Sequence, residues 1–250
     1  MTSSDHTGST ALVTGASRGF GRAIASALDA DGAKVVAVAR DAALLSSLHD
    51  ELNGRLTTVV ADVADPVVAG SLIEQHRPNT LVLNAGAQPL MRPIQYQTWQ
   101  TFSRNWDVDV QHVFNWVREA LLLPLDPGST VVTMSSGAAV AGSPLSGGYA
   151  GAKAAIRFIT EYAAGESERA GLGIRFVSLL PRLTTATDLG SMAVAAYAAR
   201  DGLEVGEYLA RLGPGLASEE VGKATVDLVA STEFAAGAYL LTPAGLSPVR

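Results

Sequence analysis

Tyr149 and Lys153 stand four residues apart in the run GGYAGAKAAIRFITEYAA, whose composition predicts a helix. At that spacing two side chains lie one above the other on a single helical face. A phenol beside an ammonium is a proton donor tuned toward neutral pH. Free tyrosine titrates near ~pH 10, and lowering that value by about three units means favouring the phenolate by roughly 4 kcal/mol. One positive charge at ~4 Å, in surroundings of effective dielectric ~20, is worth about 4 kcal/mol. The pair also has an ordinary reading, a half-buried packing tyrosine and a solvated lysine, so a second motif has to decide.

That motif opens the chain. TALVTGASRGFGRAIASALDADGAKVVAVAR, from Thr10 to Arg40, reads as strand, glycine-rich turn, helix, strand. Gly15, Gly19 and Gly21 follow the apolar run Leu12 to Thr14, and Ala23, Ile24, Ala27 and Leu28 continue at helical spacing. Glycines permit the tight turn and the approach of backbone to a pyrophosphate, and they leave the free N–H groups of the helix aimed at the anion.

Together TGASRGFG, the Asn84-Ala85-Gly86 triplet, Ser136 and YAGAK resemble the classical short-chain dehydrogenase/reductase family over nearly the whole chain. The resemblance implies one Rossmann-type domain and a hydride-transfer reaction. Ser136, thirteen residues before Tyr149, would polarise a carbonyl, with Ser135 pointing the other way because strand side chains alternate faces. Tyr149 would give or take the proton, and Lys153 would depress the tyrosine and hold cofactor ribose. It assigns a dinucleotide to Gly15, Ser17, Arg18, Gly19, Phe20 and Gly21, with the adenine near Asp62 and Val63. Asn84, Ala85, Gly86, Pro181 and Thr184, together with Tyr149 and Lys153, complete the cofactor set. Ala39 stands where an acid would hydrogen-bond a ribose 2′-OH, while Arg40 and Arg18 offer charge to a 2′-phosphate. The cofactor expected is therefore NADP(H), the alternative being NAD(H) bound by Asp41. Asp109 occupies the place of a catalytic Asn. It could join a relay to Lys153 through its backbone, its carboxylate could bond Lys153 and dull the positive field on Tyr149, or it could be part of a structural helix bend. Arg182 replaces the Gly that usually follows Pro181, where its side chain would narrow or charge the nicotinamide entrance.

The elements that must position these residues follow in order. Asp41 suits the start of a second helix, Leu56 to Ala61 a third strand, Asp65 and Pro66 the next helix start, and Thr80 to Leu83 a fourth strand. Gln88 to Gln97 is expected beside the substrate, followed by one helix from about Trp99 to Leu123. Strands at Thr130 to Met134 and Ile174 to Leu179, a substrate flap over about 184–215, a helix at Ser218 to Ala230, and a strand within AAGAYLLT complete the chain. The expected fold is an α/β, doubly wound domain over 1–250, with a seven-stranded parallel sheet of order 3-2-1-4-5-6-7 flanked by helices.

Composition fits. The 250 residues carry net charge −6 and are 48% hydrophobic, with no Cys. The isoelectric point is near 5.2 and mean hydropathy is +0.22. These values favour one sizeable core and offer no basic footprint, so neither nucleic acid nor a membrane is an expected partner. Residues 1–9 read as a flexible tail, and the cytoplasm is the default location. His6, His49, His76 and His112 are scattered singly, and no metal site is expected. The resemblance also implies a homotetramer or homodimer built through the helices around Trp106 to Leu123 and Tyr149 to Gly165. Two functions remain, an NADP(H)-dependent oxidoreductase acting on a carbonyl or secondary alcohol and a catalytically weak NADP-binding sensor. Nothing in the sequence identifies the substrate.

Overall fold

The computed structural model describes residues 8–249. Of the expected tail, residues 1–7 lie outside the described residues. The chain alternates strand and helix: β1 (Thr10–Thr14), α1 (Gly19–Ala30), β2 (Lys34–Ala39), α2 (Ala42–Glu51), β3 (Thr57–Val60), α3 (Pro66–His76) and β4 (Thr80–Leu83). Next come α4 (Trp99–Asn105), a π-helical turn (Trp106–Val110), α5 (Gln111–Leu122), β5 (Thr130–Met134), α6 (Ala138–Ala141), α7 (Gly147–Ala170) and β6 (Arg175–Pro181). The flap helices α8 (Asp188–Arg200) and α9 (Val205–Leu212) precede α10 (Ser218–Ala230), β7 (Ala238–Thr242) and β8 (Gly245–Pro248).

The strand order is β3-β2-β1-β4-β5-β6-β7-β8. The first seven strands pair in parallel in the expected order, and β8 adds an eighth that runs antiparallel to β7. Pro243 and Ala244 turn the chain back on itself into β8, which opens on Gly245 at φ +106°, so what reads in sequence as a short apolar tail closes the sheet edge. The inner strands β1, β2, β4, β5 and β6 are almost wholly buried because both faces are covered, whereas the edge strand β3 is largely exposed. Ala11, Val13, Val35, Ala37, Val82 and Val132 face one core with α1, α2 and α10. Leu12, Val36, Val38, Leu81, Leu83 and Val131 face the other with α3, α5 and α7. On the first side α10 presses against α1 so closely that a Cβ on Gly222 would meet the carbonyl oxygen of Ala23 at 2.6 Å.

The helix starts follow local chemistry. Asp41 accepts from Leu44 N–H at 3.0 Å and Asp65 from Val67 N–H at 2.9 Å, with Pro66 in the first turn of α3. The single helix expected from Trp99 to Leu123 is instead α4 and α5 joined by the π turn. The extra residue in that turn re-aims Asp109 toward the carboxyl edge of the sheet.

Candidate active site

The carboxyl ends of the parallel strands open into a cleft of about 1460 Å³. This is where open α/β sheets bind ligands, at the reversal of strand order between β1 and β4. Its floor is built by the β1–α1 turn. Gly15 has φ +65°, and a Cβ on it would stand 2.8 Å from Ala85 Cα. Asn84 locks the two strand ends together, donating from Nδ2 to the carbonyls of Thr14 (3.1 Å) and Gly15 (3.3 Å). The side chain of Arg18, which precedes α1, makes no capping bond, so the opening amides of that helix remain available to an anion. Ser17, Arg18, Gly19 and Phe20 line the cleft with Gly15. Gly21 does not line it. It is buried beneath the turn, where a Cβ would clash with the Gly15 carbonyl oxygen at 2.1 Å. Its lack of a side chain lets the helix pack against the turn.

Arg40, Asp62 and Val63 line the adjoining wall, and Ala39 sits at the end of β2. Asp41 lies there too, but its carboxylate is engaged as the cap of α2. The 62–64 segment is braced from α5: Trp116 donates to the Val63 carbonyl at 2.9 Å and Asn115 to that of Ala64 at 3.0 Å. Trp116 is fully buried and was not among the expected site residues. Its signal was available, because a buried indole N–H needs an acceptor. Asn84, Ala85, Gly86 and Pro181 all line the cleft. Thr184 reaches it too, its hydroxyl donating to the Leu216 carbonyl at 2.5 Å and accepting from Ala186 N–H at 3.1 Å.

Ser136, Tyr149, Lys153 and Asp109 line the same cleft. Ser136 is half-buried and its Oγ accepts from Ala138 N–H at 3.2 Å. Ser135 points elsewhere, donating to the Lys153 carbonyl at 2.8 Å and so holding α7 against β5. Lys153 is only 5% exposed; its Nζ donates to the Met134 carbonyl at 3.0 Å and lies 5.5 Å from the centre of the Tyr149 ring. Asp109 Oδ2 stands 3.2 Å from the same ammonium, an ion pair without full hydrogen-bond geometry. Burial works against the lysine's charge, but Asp109 and Tyr149 outweigh it and hold its pKa above the ordinary value. Three residues on from Asp109, His112 is fully buried, and neither ring nitrogen has a hydrogen-bond partner among the described residues. Burial, reinforced by Lys153, pushes its pKa down to about 3, although the Ala85 carbonyl opposes the shift.

The flap closes the cleft on the far side. Tyr197 hydrogen-bonds Ser143, which in turn bonds Ser146 at 2.7 Å just before α7. Arg182 does not project freely into the cleft. Its guanidinium donates to the carbonyl of Leu212, the last residue of α9, and ties the flap to the end of β6.

This arrangement can hold an extended dinucleotide along the glycine turn and present a proton donor at its far end. The sequence model described as short chain dehydrogenase matches residues 9–197. The chain belongs to that family. Among its relatives, the L-xylulose reductase of Bos taurus is 34% identical over 162 residues, covering 64% of this chain and 66% of that protein. The carbonyl reductase (NADPH) 2 of Sus scrofa is 33% identical over 154 residues, covering 60% of this chain and 62% of the other. The match thus spans slightly under two thirds of these curated proteins. Among solved folds, a 3-ketoacyl-(acyl-carrier-protein) reductase from Brucella melitensis complexed with NADH superposes with a TM-score of 0.74. It is 24% identical and the match covers 91% of this chain and 92% of that one. Among the described residues of this short-chain dehydrogenase, no helix is long and apolar enough to cross a membrane.

Proposed function

We propose that this chain is an NADP(H)-dependent oxidoreductase that interconverts a carbonyl compound and a secondary alcohol, with Tyr149 as general acid and base. The observation that carries the reading is the meeting of Ser136, Tyr149 and Lys153 in the same cleft as the glycine turn. When bound, the dinucleotide supplies or accepts hydride at its nicotinamide. The chain does the rest. Gly15, Ser17, Arg18, Gly19 and Phe20 hold the pyrophosphate end with backbone and the opening of α1. Ser136 and Tyr149 hydrogen-bond the substrate oxygen and stabilise the charge that grows on it, and Tyr149 passes its proton to that oxygen in reduction. Lys153 keeps its charge near the phenol. Asp109 belongs to the same group.

NADP(H) is favoured over NAD(H) because Arg18 and Arg40 flank Ala39 while the nearest acid, Asp41, is occupied as a helix cap. The pig relative is named for NADPH, which accords with this choice. The chain also works as a homo-oligomer, since Phe114 (53% exposed) and Leu122 (59%) on α5, with Phe158 (50%) and Tyr162 (68%) on α7, leave apolar surface that a second copy would cover.

The test is consumption of NADPH and of NADH over a panel of ketones and aldehydes, with Tyr149→Phe as control. A higher kcat/KM with NADPH, lost in the variant, supports the reading. Cofactor binding with no turnover on any substrate would instead indicate a sensor, and a preference for NADH would return the ribose contact to Asp41.

A further inference from the structure

The side chain of Asp109 is 1% exposed. A buried carboxylate is costly unless it is paired and hydrogen-bonded, and here both oxygens are used. Oδ1 accepts from Ala87 N–H at 2.7 Å and from Asn105 Nδ2 at 3.4 Å. Oδ2 faces Lys153 Nζ at 3.2 Å. Gly86 keeps the space open, since a Cβ there would stand 2.8 Å from Oδ2. An amide oxygen would serve Ala87 equally well, so the backbone clamp does not account for the charge. What the carboxylate alone supplies is a negative charge set against the ammonium.

We propose that Asp109 is a positioning residue that cancels much of the field Lys153 exerts on Tyr149, and so raises the pH at which this site can take a proton from an alcohol. The proposal rests on the oxidoreductase reading above. Alcohol oxidation begins from the phenolate of Tyr149, which takes the hydroxyl proton as hydride leaves the carbinol carbon for the oxidised nicotinamide. An unopposed ammonium beside the ring favours that phenolate, and a carboxylate on the same ammonium withdraws the advantage.

Few other groups can substitute. α7 presents Tyr149 and Lys153, the π turn Asp109, and α4 the neutral amide of Asn105. β5 contributes the Met134 carbonyl and the hydroxyls of Ser135 and Ser136. His112 on α5 is fully buried and remains neutral through the working range. Arg182, Asp188, Arg200 and Asp201 line the cleft from the flap side but are half-buried or exposed, where water screens them. Among the described cleft residues, Asp109 is the negative charge buried with Lys153.

The experiment measures kcat/KM for alcohol oxidation against pH in the full-length enzyme, using a secondary alcohol and NADP+. It compares wild type with Asp109→Asn, Asp109→Ser and Asp109→Glu, with folding followed by circular dichroism and Tyr149→Phe as control. The neutral variants are expected to move the half-plateau pH down by about one unit, a gain of roughly tenfold in relative rate below the limb. Asp109→Glu restores the wild-type limb even where its rate is lower. A limb in the folded neutral variants within about 0.2 units of wild type, with only the rate reduced, overturns the proposal. Should neither neutral variant fold, the wild-type profile decides. A half-plateau above about pH 8.5 supports cancellation, and one at or below it overturns it. If Tyr149→Phe turns over normally, the assignment of Tyr149 is what fails. If that control is inactive and the limb does not move, only the role of Asp109 fails.

Discussion

Tyr149 sits half-buried in the cleft wall, and no side chain among the described residues hydrogen-bonds its hydroxyl. Replacing Tyr149 by Phe removes the proposed proton donor while keeping the ring over which Lys153 lies. We expect kcat to fall by about 10²- to 10⁴-fold in an NADPH assay, with the melting temperature nearly unchanged. His112 makes a different prediction. Its folded pKa is about 3, below the ordinary value of 6.5. The stability it contributes is therefore fully present above about pH 6.5 and is lost as pH falls toward about 3, because only the unfolded chain takes up the proton. One such group costs about 1.4 kcal/mol per pH unit, or roughly 5 kcal/mol across that window. In urea titrations between pH 6.5 and 4, His112→Gln should flatten the pH slope by one proton relative to wild type. Tyr149 and Lys153 were legible in sequence because their relation is local, four residues on one helix. The pairing of Lys153 with Asp109, across 44 positions, was open only through the place Asp109 takes in the family pattern, and the burial of His112, 41 positions from Lys153, is encoded by no local pattern.

At the level of elements, α7, which carries Tyr149 and Lys153, is located by a near-contact of backbones. Gly148, one residue before Tyr149, lies against α4, and a Cβ there would stand 2.0 Å from the Phe102 carbonyl oxygen. The indole of Trp106 adds a hydrogen bond to the Gly148 carbonyl at 3.2 Å. Gly148→Ala must push α7 away from α4, so it should cost about 1–3 kcal/mol in chemical denaturation and lower kcat as Tyr149 shifts. Most elements could be read from apolar period and caps. Asp41 and Asp65 begin helices, and α10 spans Ser218–Ala230 as its pattern suggests. A bend at Asp109 was among the expectations, but its π form could not be read, since Trp106, Val110, Val113 and Val117 keep helical spacing straight through it. Arg182 was also opaque. Its sequence position next to Pro181 suggests a charge entering the cleft, whereas its length lets it reach the carbonyl end of α9.

For the whole molecule, the sheet order and the two cores follow from the alternation of strand and helix, and the eighth strand adds an antiparallel edge after the last expected one. The surface left by α5 and α7 predicts self-association. Light scattering should give a mass at least twice the 25.8 kDa of one chain, and Phe158→Glu should shift it toward the monomer while leaving helix content intact. Assembly has an order as well as a form. The helix α1 leaves the ribosome well before Val221, Ala224 and Leu228, which share a core with its Ile24 and Leu28. Until they emerge, that flank stays bare, and a nascent chain halted before Ser218 should be captured by chaperones and fail to retain nucleotide.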